Sequence, residues 1–150
     1  MPYAPLGWDA PAALDQAGLL RIKNAFVSAA QRADSIGFDV AELLAAHGYL
    51  LHQFLSPLSN LRADEYGGSL QGRMRFPLAV FEAVREIWPK HKALGVRISA
   101  TDWVARSSWT IAESQIFAEE LKTRGCDFID VSSAGNSPEQ EIDAGPGYQT

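Results

Sequence analysis

Three short apolar segments constrain the fold of this chain most. Each is preceded by a helical pattern that ends at a glycine or a proline. The apolar segments cover residues 38–44, 94–99 and 127–132, and the helical patterns cover residues 15–36, 70–88 and 110–124. Strands that alternate with helices pair in parallel, because each helix carries the chain back to the same end of the sheet. The sequence therefore predicts an α/β fold with about three βα units.

Local signals mark the ends of the predicted helices. Asp15 is the predicted N-cap of the first helix, and Gly37 follows its last turn. Thr110 and Glu113 form a capping box, which predicts the start of the third helix. Pro77 lies inside the second helix and removes one of its main-chain hydrogen bonds, so we expect a kink or a restart there.

A weak internal repeat agrees with this order of elements. Residues 37–43 and 125–131 each begin with a glycine that ends a helix, continue to an Asp, and then enter an apolar strand with one acidic residue. Three strands cannot close a sheet, and a (β/α)₈ barrel takes about 250 residues, with ~200 near the minimum. The chain fits either three units of such a barrel or a small open sheet.

The charge balance and the single cysteine limit the classes of partner and the compartment. Thirteen Lys and Arg residues against 18 Asp and Glu residues give a net charge of -5. This balance argues against a surface for nucleic acid or for an anionic membrane. Cys126 is the only cysteine, which excludes an internal disulfide and suits a reducing compartment. Residues 1–5 do not resemble a signal peptide, and we expect a cytoplasmic protein.

One uncharged segment approaches the length that spans a bilayer. Residues 43–61 contain no Asp, Glu, Lys or Arg. They also contain His47, His52 and Asn60, whose polar groups would lack hydrogen-bond partners in lipid. We interpret the segment as a strand followed by a loop, and we expect no membrane association.

Polar side chains follow the carboxyl ends of the three predicted strands, which is where ligands bind in barrels and in open α/β sheets. The residues at these ends are Leu44, His47 and Tyr49, then Arg97, Ser99, Thr101 and Asp102, then Ser132, Ser133 and Asn136. The pattern predicts a ligand site at this end of the sheet.

His47 and Tyr49 stand two residues apart across Gly48. An imidazole and a phenol can polarise or protonate a substrate oxygen or carbon, although a loop histidine and a packing tyrosine would give the same pattern. His47 and His52 are five residues apart, which is not the spacing that places two imidazoles on one helical face. We predict no metal site.

Arg97 interrupts an apolar strand. A buried guanidinium needs an anionic or carbonyl partner. Two interpretations remain open: an internal ion pair with Asp39, Glu42 or Asp130, and the binding of an anionic cofactor or substrate.

Long segments of the chain resemble the Old Yellow Enzyme family of NADH:flavin oxidoreductases, and within it the bacterial ene-reductase and xenobiotic-reductase branch. The segments are GFDV at 37–40, AAHGYLLHQFLSP at 45–57, SNLRADEYGGS at 59–69, VRISATDW at 96–103 and DVSS at 130–133. The resemblance runs from about Ala13 onward. It implies a (β/α)₈ TIM barrel that binds FMN, with this chain near strands four to six, and residues 1–150 as one partial-barrel domain without the first and last barrel strands.

The resemblance also implies residue roles and an activity. Tyr49 matches the family's proton donor, His47 matches a residue that hydrogen-bonds the substrate oxygen, and Arg97 matches the arginine at the flavin pyrimidine edge. The implied reaction is the FMN-dependent reduction of activated alkenes, such as enones and nitro compounds, with NAD(P)H as reductant. A small-molecule substrate is the implied partner, and the pattern permits a homo-oligomer.

Two departures from the family pattern leave a second hypothesis open. Leu44 stands where the family has a substrate-binding His, and Gly72 stands where an Asn is common. The family's first three strands would precede residue 1, and its phosphate site would follow Thr150. The second hypothesis is therefore a catalytically inactive truncated barrel, or an interaction module, without FMN. A lyase or aldolase that uses His47 and Arg97 is a third, weakened because no lysine lies at a strand end.

Overall fold

The computed structural model describes residues 12–142 and 145, so residues 1–5, which do not resemble a signal peptide, lie outside the described part. The elements in chain order are α1 (Gln16–Ser35), β1 (Val40–Ala45), α2 (Leu50–Leu55), α3 (Leu70–Ile87), β2 (Ala93–Ser99), α4 (Ile111–Thr123) and β3 (Phe128–Ser132). The predicted order of three helices and three strands is confirmed. The helical turn α2 follows β1 directly and begins the long connection to α3.

The strands form one parallel sheet in the order β1-β2-β3. Leu44 lies opposite Arg97, and Arg97 lies opposite Asp130, so the three form a row across the sheet. Ser99 and Ser132 pair at the ends of their strands. The carboxyl ends of all three strands therefore meet at one edge, as the alternating pattern predicts.

The hydrophobic core lies between one face of the sheet and the helices. Leu94, Val96 and Ile98 of β2 are at most 3% exposed and belong to the same cluster as Val80 and Phe81 of α3. Full burial of such a side chain contributes about 1.5–3 kcal/mol relative to leaving it exposed. This packing fixes the sheet against the helices and leaves its other face, here called the inner face, for other contacts.

The inner face of β1 is open in the described part of the chain. In β1, Val40, Glu42 and Leu44 are exposed, whereas Leu43 and Ala45 are buried. Successive side chains of a strand point to opposite faces, and in the described residues no helix covers the inner face of β1. The strand therefore has one buried face and one open face.

Gly95 lets a large side chain lie across the inner face. A Cβ atom on Gly95 would stand 2.3 Å from the ring of Phe128, its neighbour in register on β3. No other residue type fits at position 95 without displacing that ring.

The start of β1 is set by the end of α1. Gly37, with φ of 90°, donates its N–H to the Asp34 carbonyl at 3.0 Å, and the next N–H, that of Phe38, reaches the Ala33 carbonyl at 3.1 Å. This pair of bonds is a Schellman motif, which uses the Phe38 amide for the helix. The strand therefore begins at Val40, two residues later than predicted.

The end of α4 repeats this arrangement. Gly125 donates its N–H to the Lys122 carbonyl at 3.0 Å, and Cys126 donates to the Leu121 carbonyl at 3.1 Å. The third strand then starts at Phe128. The two matching helix ends confirm the repeat that the sequence indicates.

Two other local predictions have different outcomes. The capping box is confirmed, since Thr110 Oγ1 accepts the Glu113 N–H at 3.3 Å and Glu113 Oε2 accepts the Thr110 N–H at 3.1 Å. The restart predicted at Pro77 does not occur, because α3 continues through it as one helix. Phe76 and Leu78 on either side are buried, so packing holds the helix together across the missing hydrogen bond.

Residues 43–61 form the end of a strand, a turn, the six-residue helix α2 and a loop, which confirms the interpretation made from their polar content. Among the residues that the structure describes, no helix has the length and apolar character needed to cross a membrane.

Candidate active site

Ser99, the last residue of β2, joins the loops that follow the other two strands. Its Oγ accepts the backbone N–H of His47 at 2.9 Å and donates to the carbonyl of Ala134 at 2.9 Å. The side chain is fully buried, so both bonds are shielded from water. This serine fixes the His47 loop and the Ala134 loop relative to each other.

Two glycines let the same loops meet at backbone distance. A Cβ on Gly48 would lie 2.3 Å from the carbonyl oxygen of Gly135, and a Cβ on Gly135 would lie 2.5 Å from the Cα of His47. Both glycines also have positive φ, 73° and 90°. The loop after β1 can therefore approach the loop after β3 only with glycine at both positions.

His47 is held by its ring as well as by its backbone. Its φ is 56°, in the left-handed region, and its Nε2 lies 2.5 Å from Oγ of Ser132 at the end of β3. Burial lowers the pKa of His47 below its ordinary value, and the charge of Arg97 lowers it further, outweighing the attraction of Asp130. The imidazole is therefore neutral at neutral pH, and Nδ1 is the ring nitrogen that Ser132 leaves unengaged.

Tyr49 begins α2 and points its side chain toward solvent. It is 61% exposed, and its phenol has no hydrogen-bond partner among residues 12–142. Its backbone is fixed, since its N–H donates to the Ala46 carbonyl at 3.1 Å and its own carbonyl accepts the Gln53 N–H at 2.9 Å. The exposure argues against a packing role and leaves the hydroxyl accessible to a ligand.

Arg97 is not the buried guanidinium that the sequence suggests. Its side chain is 38% exposed on the inner face, and its Nε lies 3.3 Å from Oδ2 of Asp130, one of the three predicted partners. Glu42 lies on the same face, and burial, reinforced by Asp130 and opposed by Arg97, raises its pKa. The strand is mostly apolar in sequence, but successive side chains of a strand point to opposite faces. Arg97 lies on the face that points away from the core.

Leu44 lies beside Arg97 in register and is 36% exposed on the inner face. The structure thus puts Leu44, His47, Tyr49 and Arg97 at one end of the sheet, two on strands and two in the turn after β1. His47 is hydrogen-bonded to Ser132 of β3, whereas the Tyr49 side chain has no hydrogen-bond partner among the described residues. Sequence reasoning named Ser132 only as a strand-end residue, because its contact with His47 spans 85 positions.

A buried polar network behind the turn was not predicted. His52 Nδ1 accepts the N–H of Gly48 at 2.9 Å, and His52 Nε2 lies 3.1 Å from Oδ1 of Asp102. Asp102 Oδ2 accepts bonds from the Ser56 hydroxyl at 2.5 Å and the Trp109 N–H at 2.9 Å. His52 and Asp102 are both fully buried. With both ring nitrogens engaged, His52 is a structural group and not a metal ligand.

Burial by itself raises the pKa of Asp102, but the hydrogen bonds from His52 and Ser56 outweigh it, and the net pKa lies below the ordinary value. Asp102 is therefore ionised and acts only as an acceptor. No sequence signal pairs it with His52, since His52 lies in α2 and Asp102 in the loop after β2.

The family model for the NADH:flavin oxidoreductase / NADH oxidase family matches residues 9–141 of the chain. The chain belongs to this family. The resemblance to Old Yellow Enzymes that the motifs indicate is confirmed.

Relatives and solved structures agree with this assignment. An NADPH dehydrogenase of Clostridium acetobutylicum is 48% identical over 99% of the chain, and an NADH:flavin oxidoreductase of Gibberella zeae is 45% identical over 93%. Morphinone reductase is 32% identical and superposes with a TM-score of 0.75 over 93% of the chain. The chain spans 45%, 36% and 37% of the lengths of these three proteins. The predicted partial (β/α)₈ barrel is confirmed by this likeness.

Membership of the flavin oxidoreductase family implies FMN, and the inner face fits one part of it. Arg97 presents a partly exposed cation beside the turn that carries His47 and Tyr49. A fixed cation stabilises the negative charge that a reduced flavin carries at its pyrimidine edge. Asp130 Oδ2 lies 3.3 Å from its Nε, and the charge of the guanidinium fits such an edge.

Proposed function

We propose that this chain forms part of the active site of an FMN-dependent NAD(P)H oxidoreductase that reduces activated alkenes such as enones and nitro compounds. The observation that carries the proposal is the pairing of an exposed Tyr49 phenol with a neutral, fixed His47 at the edge of the sheet that also bears Arg97. Family membership supports the cofactor and the reductant.

Each residue has a defined part in the proposed reaction. The chemistry that bound FMN supplies is hydride transfer, first from NAD(P)H and then to the alkene. His47 donates a hydrogen bond from Nδ1 to the substrate oxygen, which withdraws charge from the alkene and stabilises the developing negative charge. Tyr49 gives its hydroxyl proton to the neighbouring carbon. Arg97 holds the flavin edge.

The proposal includes the organisation of the chain. Residues 1–150 act as one partial-barrel domain, since the described helices and strands share a single core cluster. A cytoplasmic location with a small-molecule substrate suits this chemistry.

The direct test follows the two half-reactions separately. The protein is titrated with FMN by quenching of flavin fluorescence, reduced with NADPH without oxygen, and then mixed with 2-cyclohexenone or a nitroalkene. We expect FMN to bind, to bleach with NADPH and to regain its colour with the alkene. The proposal is refuted if the protein binds no FMN, or if neither alkene reoxidises the reduced flavin.

Leu44 favours a second candidate, a family member without catalytic activity. An apolar side chain on the inner face, where the family pattern has a His, leaves one donor fewer for the substrate oxygen. Losing one such donor costs about 10²–10³ in rate. In the same titration this candidate predicts FMN binding without alkene reduction, or no FMN binding at all.

A further inference from the structure

The turn formed by residues 47–49 has a conformation that its own sequence does not favour. His47 and Gly48 are both in the left-handed region, with φ of 56° and 73°, and Tyr49 returns to extended backbone. A non-glycine residue held there costs on the order of 1–3 kcal/mol and persists only when surrounding contacts fix it. The contacts that fix this turn therefore decide where the His47 ring and the Tyr49 phenol stand.

Side chains bind both sides of Gly48. Its N–H donates to Nδ1 of His52 at 2.9 Å, and its carbonyl accepts Nε2 of Gln53 at 2.6 Å. The first of these bonds is partly buried and ends on His52, which is fully inaccessible, whereas Gln53 is exposed on the surface of α2. A buried bond confines the peptide more than an exposed one, because water cannot replace its partner.

The chemistry of His52 follows from Asp102. The atoms His52 Nε2 and Asp102 Oδ1 lie 3.1 Å apart in a buried contact, and neither atom has a hydrogen-bond partner elsewhere in the described part of the chain. Nδ1 accepts the N–H of Gly48 at 2.9 Å, so Nδ1 carries no proton. The ring N–H is therefore on Nε2, which faces Asp102. Ser56 and Trp109 hold the other oxygen of Asp102, so the ring has one orientation.

We propose that His52, oriented by Asp102, is a positioning residue for the active site: through the Gly48 N–H it fixes the turn that presents His47 and Tyr49 to the substrate. The idea rests on the proposed function and assigns a role that neither family membership nor the strand-end pattern gives. His52 touches no reacting atom, and it acts on the proton donor one peptide away.

The competing explanation is that His52 only fills buried space and satisfies Asp102. Two variants separate these roles, because an asparagine amide reaches the place of Nδ1 and a glutamine amide reaches the place of Nε2. His52→Asn keeps an acceptor for Gly48 and loses the link to Asp102. His52→Gln keeps a donor to Asp102 and loses the acceptor for Gly48. The exposed residue His91 provides a matched control, His91→Gln.

The FMN-loaded protein is measured in two ways. Exchange of the Gly48 amide proton with solvent is followed by NMR, which needs no turnover. Flavin reduction by NADPH and reoxidation by 2-cyclohexenone are followed by stopped flow. We expect His52→Gln to lose protection of the Gly48 amide and to slow reoxidation by about 10²-fold, the cost of a misplacement near 1 Å, with flavin reduction unchanged. We expect His52→Asn to keep the Gly48 amide protected and to slow reoxidation less than His52→Gln does, and we expect His91→Gln to resemble the wild type.

The outcomes distinguish this idea from the proposed function. Equal losses in His52→Asn and His52→Gln, or a larger loss in His52→Asn, would overturn the positioning role while the wild-type traces still support alkene reduction. If the wild-type protein neither oxidises NADPH nor reduces the enone, the proposed function is wrong. The positioning role of His52 for the proton donor is then wrong as well. If His52→Gln does not fold, His52→Asn is compared with the wild type alone, because it keeps the acceptor for Gly48 and gives up the ring volume and the link to Asp102. A protected Gly48 amide in that variant supports the idea, and a Gly48 amide that exchanges freely contradicts it.

Discussion

His47 Nε2 and Ser132 Oγ lie 2.5 Å apart, although 85 positions separate them in the chain. The contact crosses from the loop after β1 to the end of β3, and it leaves Nδ1 as the ring nitrogen without a partner among the described residues. A neutral imidazole has one N–H, and a serine hydroxyl can either donate to Nε2 or accept from it. Ser132 therefore holds the orientation of the His47 ring from the far side of the sheet.

Substitution of Ser132 tests this relationship. Ser132→Ala removes the partner of Nε2 and frees the ring to rotate and to change tautomer. We expect alkene reduction to slow by about 10²-fold, because the donor to the substrate oxygen is no longer fixed. Ser132→Thr keeps the hydroxyl and should retain most of the rate. Steady-state kcat with an enone measures both, and equal rates in the two variants would show that the hydroxyl is not the relevant group.

Arg97 should influence the protonation of His47 from the adjacent strand. Its charge is one cause of the lowered pKa of His47, after burial. Arg97→Gln should raise that pKa toward the ordinary value, because the repulsion is lost and the attraction of Asp130 remains. Arg97→Lys keeps the charge and should leave the pKa low. NMR titration of the His47 ring gives the answer, and a pKa that falls or stays constant in Arg97→Gln would contradict the electrostatic account.

The lowered pKa of His47 has a consequence for stability. The folded protein binds this proton more weakly than the unfolded chain, so the unfolded state carries more protons as pH falls below the ordinary histidine value of 6.5. The contribution of His47 to the free energy of unfolding is therefore fully present above pH 6.5 and declines below it. In denaturant unfolding between pH 7.5 and about pH 5, the free energy of unfolding should fall with pH, and it should fall less steeply in His47→Gln. An identical slope in both proteins would exclude His47 as its source.

Gly48 should tolerate no side chain. Gly48→Ala places a Cβ 2.3 Å from the Gly135 carbonyl in addition to straining a φ of 73°. Gly68 is a matched control, with φ of 68° and nothing within 4 Å of an added Cβ. We expect Gly68→Ala to cost about 1–2 kcal/mol from the backbone alone. Gly48→Ala should cost a further 1–3 kcal/mol, roughly the penalty of overpacking. Equal losses in the free energy of unfolding would mean that the two loops separate easily.

Leu44→His should add a donor at the substrate oxygen. Leu44 lies on the inner face beside Arg97, at a partly exposed position that can accept a polar ring. We expect faster enone reduction with little change in FMN binding, since the proposed cofactor contact is that of Arg97. The variant is compared with Leu44→Met, which keeps the apolar character. Unchanged turnover in Leu44→His would show that position 44 does not reach the substrate oxygen.

Local signals predicted the parts of the fold that depend on neighbours in sequence. The N-cap at Asp15 and the capping box of Thr110 and Glu113 are present, because each involves atoms within one helical turn. The start of β1 was placed two residues early, because an apolar Phe38 resembles a strand residue while its amide belongs to the helix end.

The candidate site was predictable only in part. Polar residues after each strand indicated its location, and the motif around His47 and Tyr49 indicated its chemistry. The exposure of Arg97 depends on which face of the sheet it occupies, and a mostly apolar strand does not reveal that. The contact between His52 and Asp102 joins helix α2 to the loop after β2, in different βα units that no periodicity connects.

The sequence by itself determined the order of helices and strands, the helix ends and the family, because these follow from hydrophobic period, capping chemistry and long motifs. Only the tertiary structure decided which nitrogen of His47 meets Ser132, that His52 holds the Gly48 amide, and that Tyr49 stands exposed. The physical reason is that hydrogen bonds between loops depend on the register of the parallel strands and on backbone approach at Gly48 and Gly135. Those distances exist only once the sheet has formed.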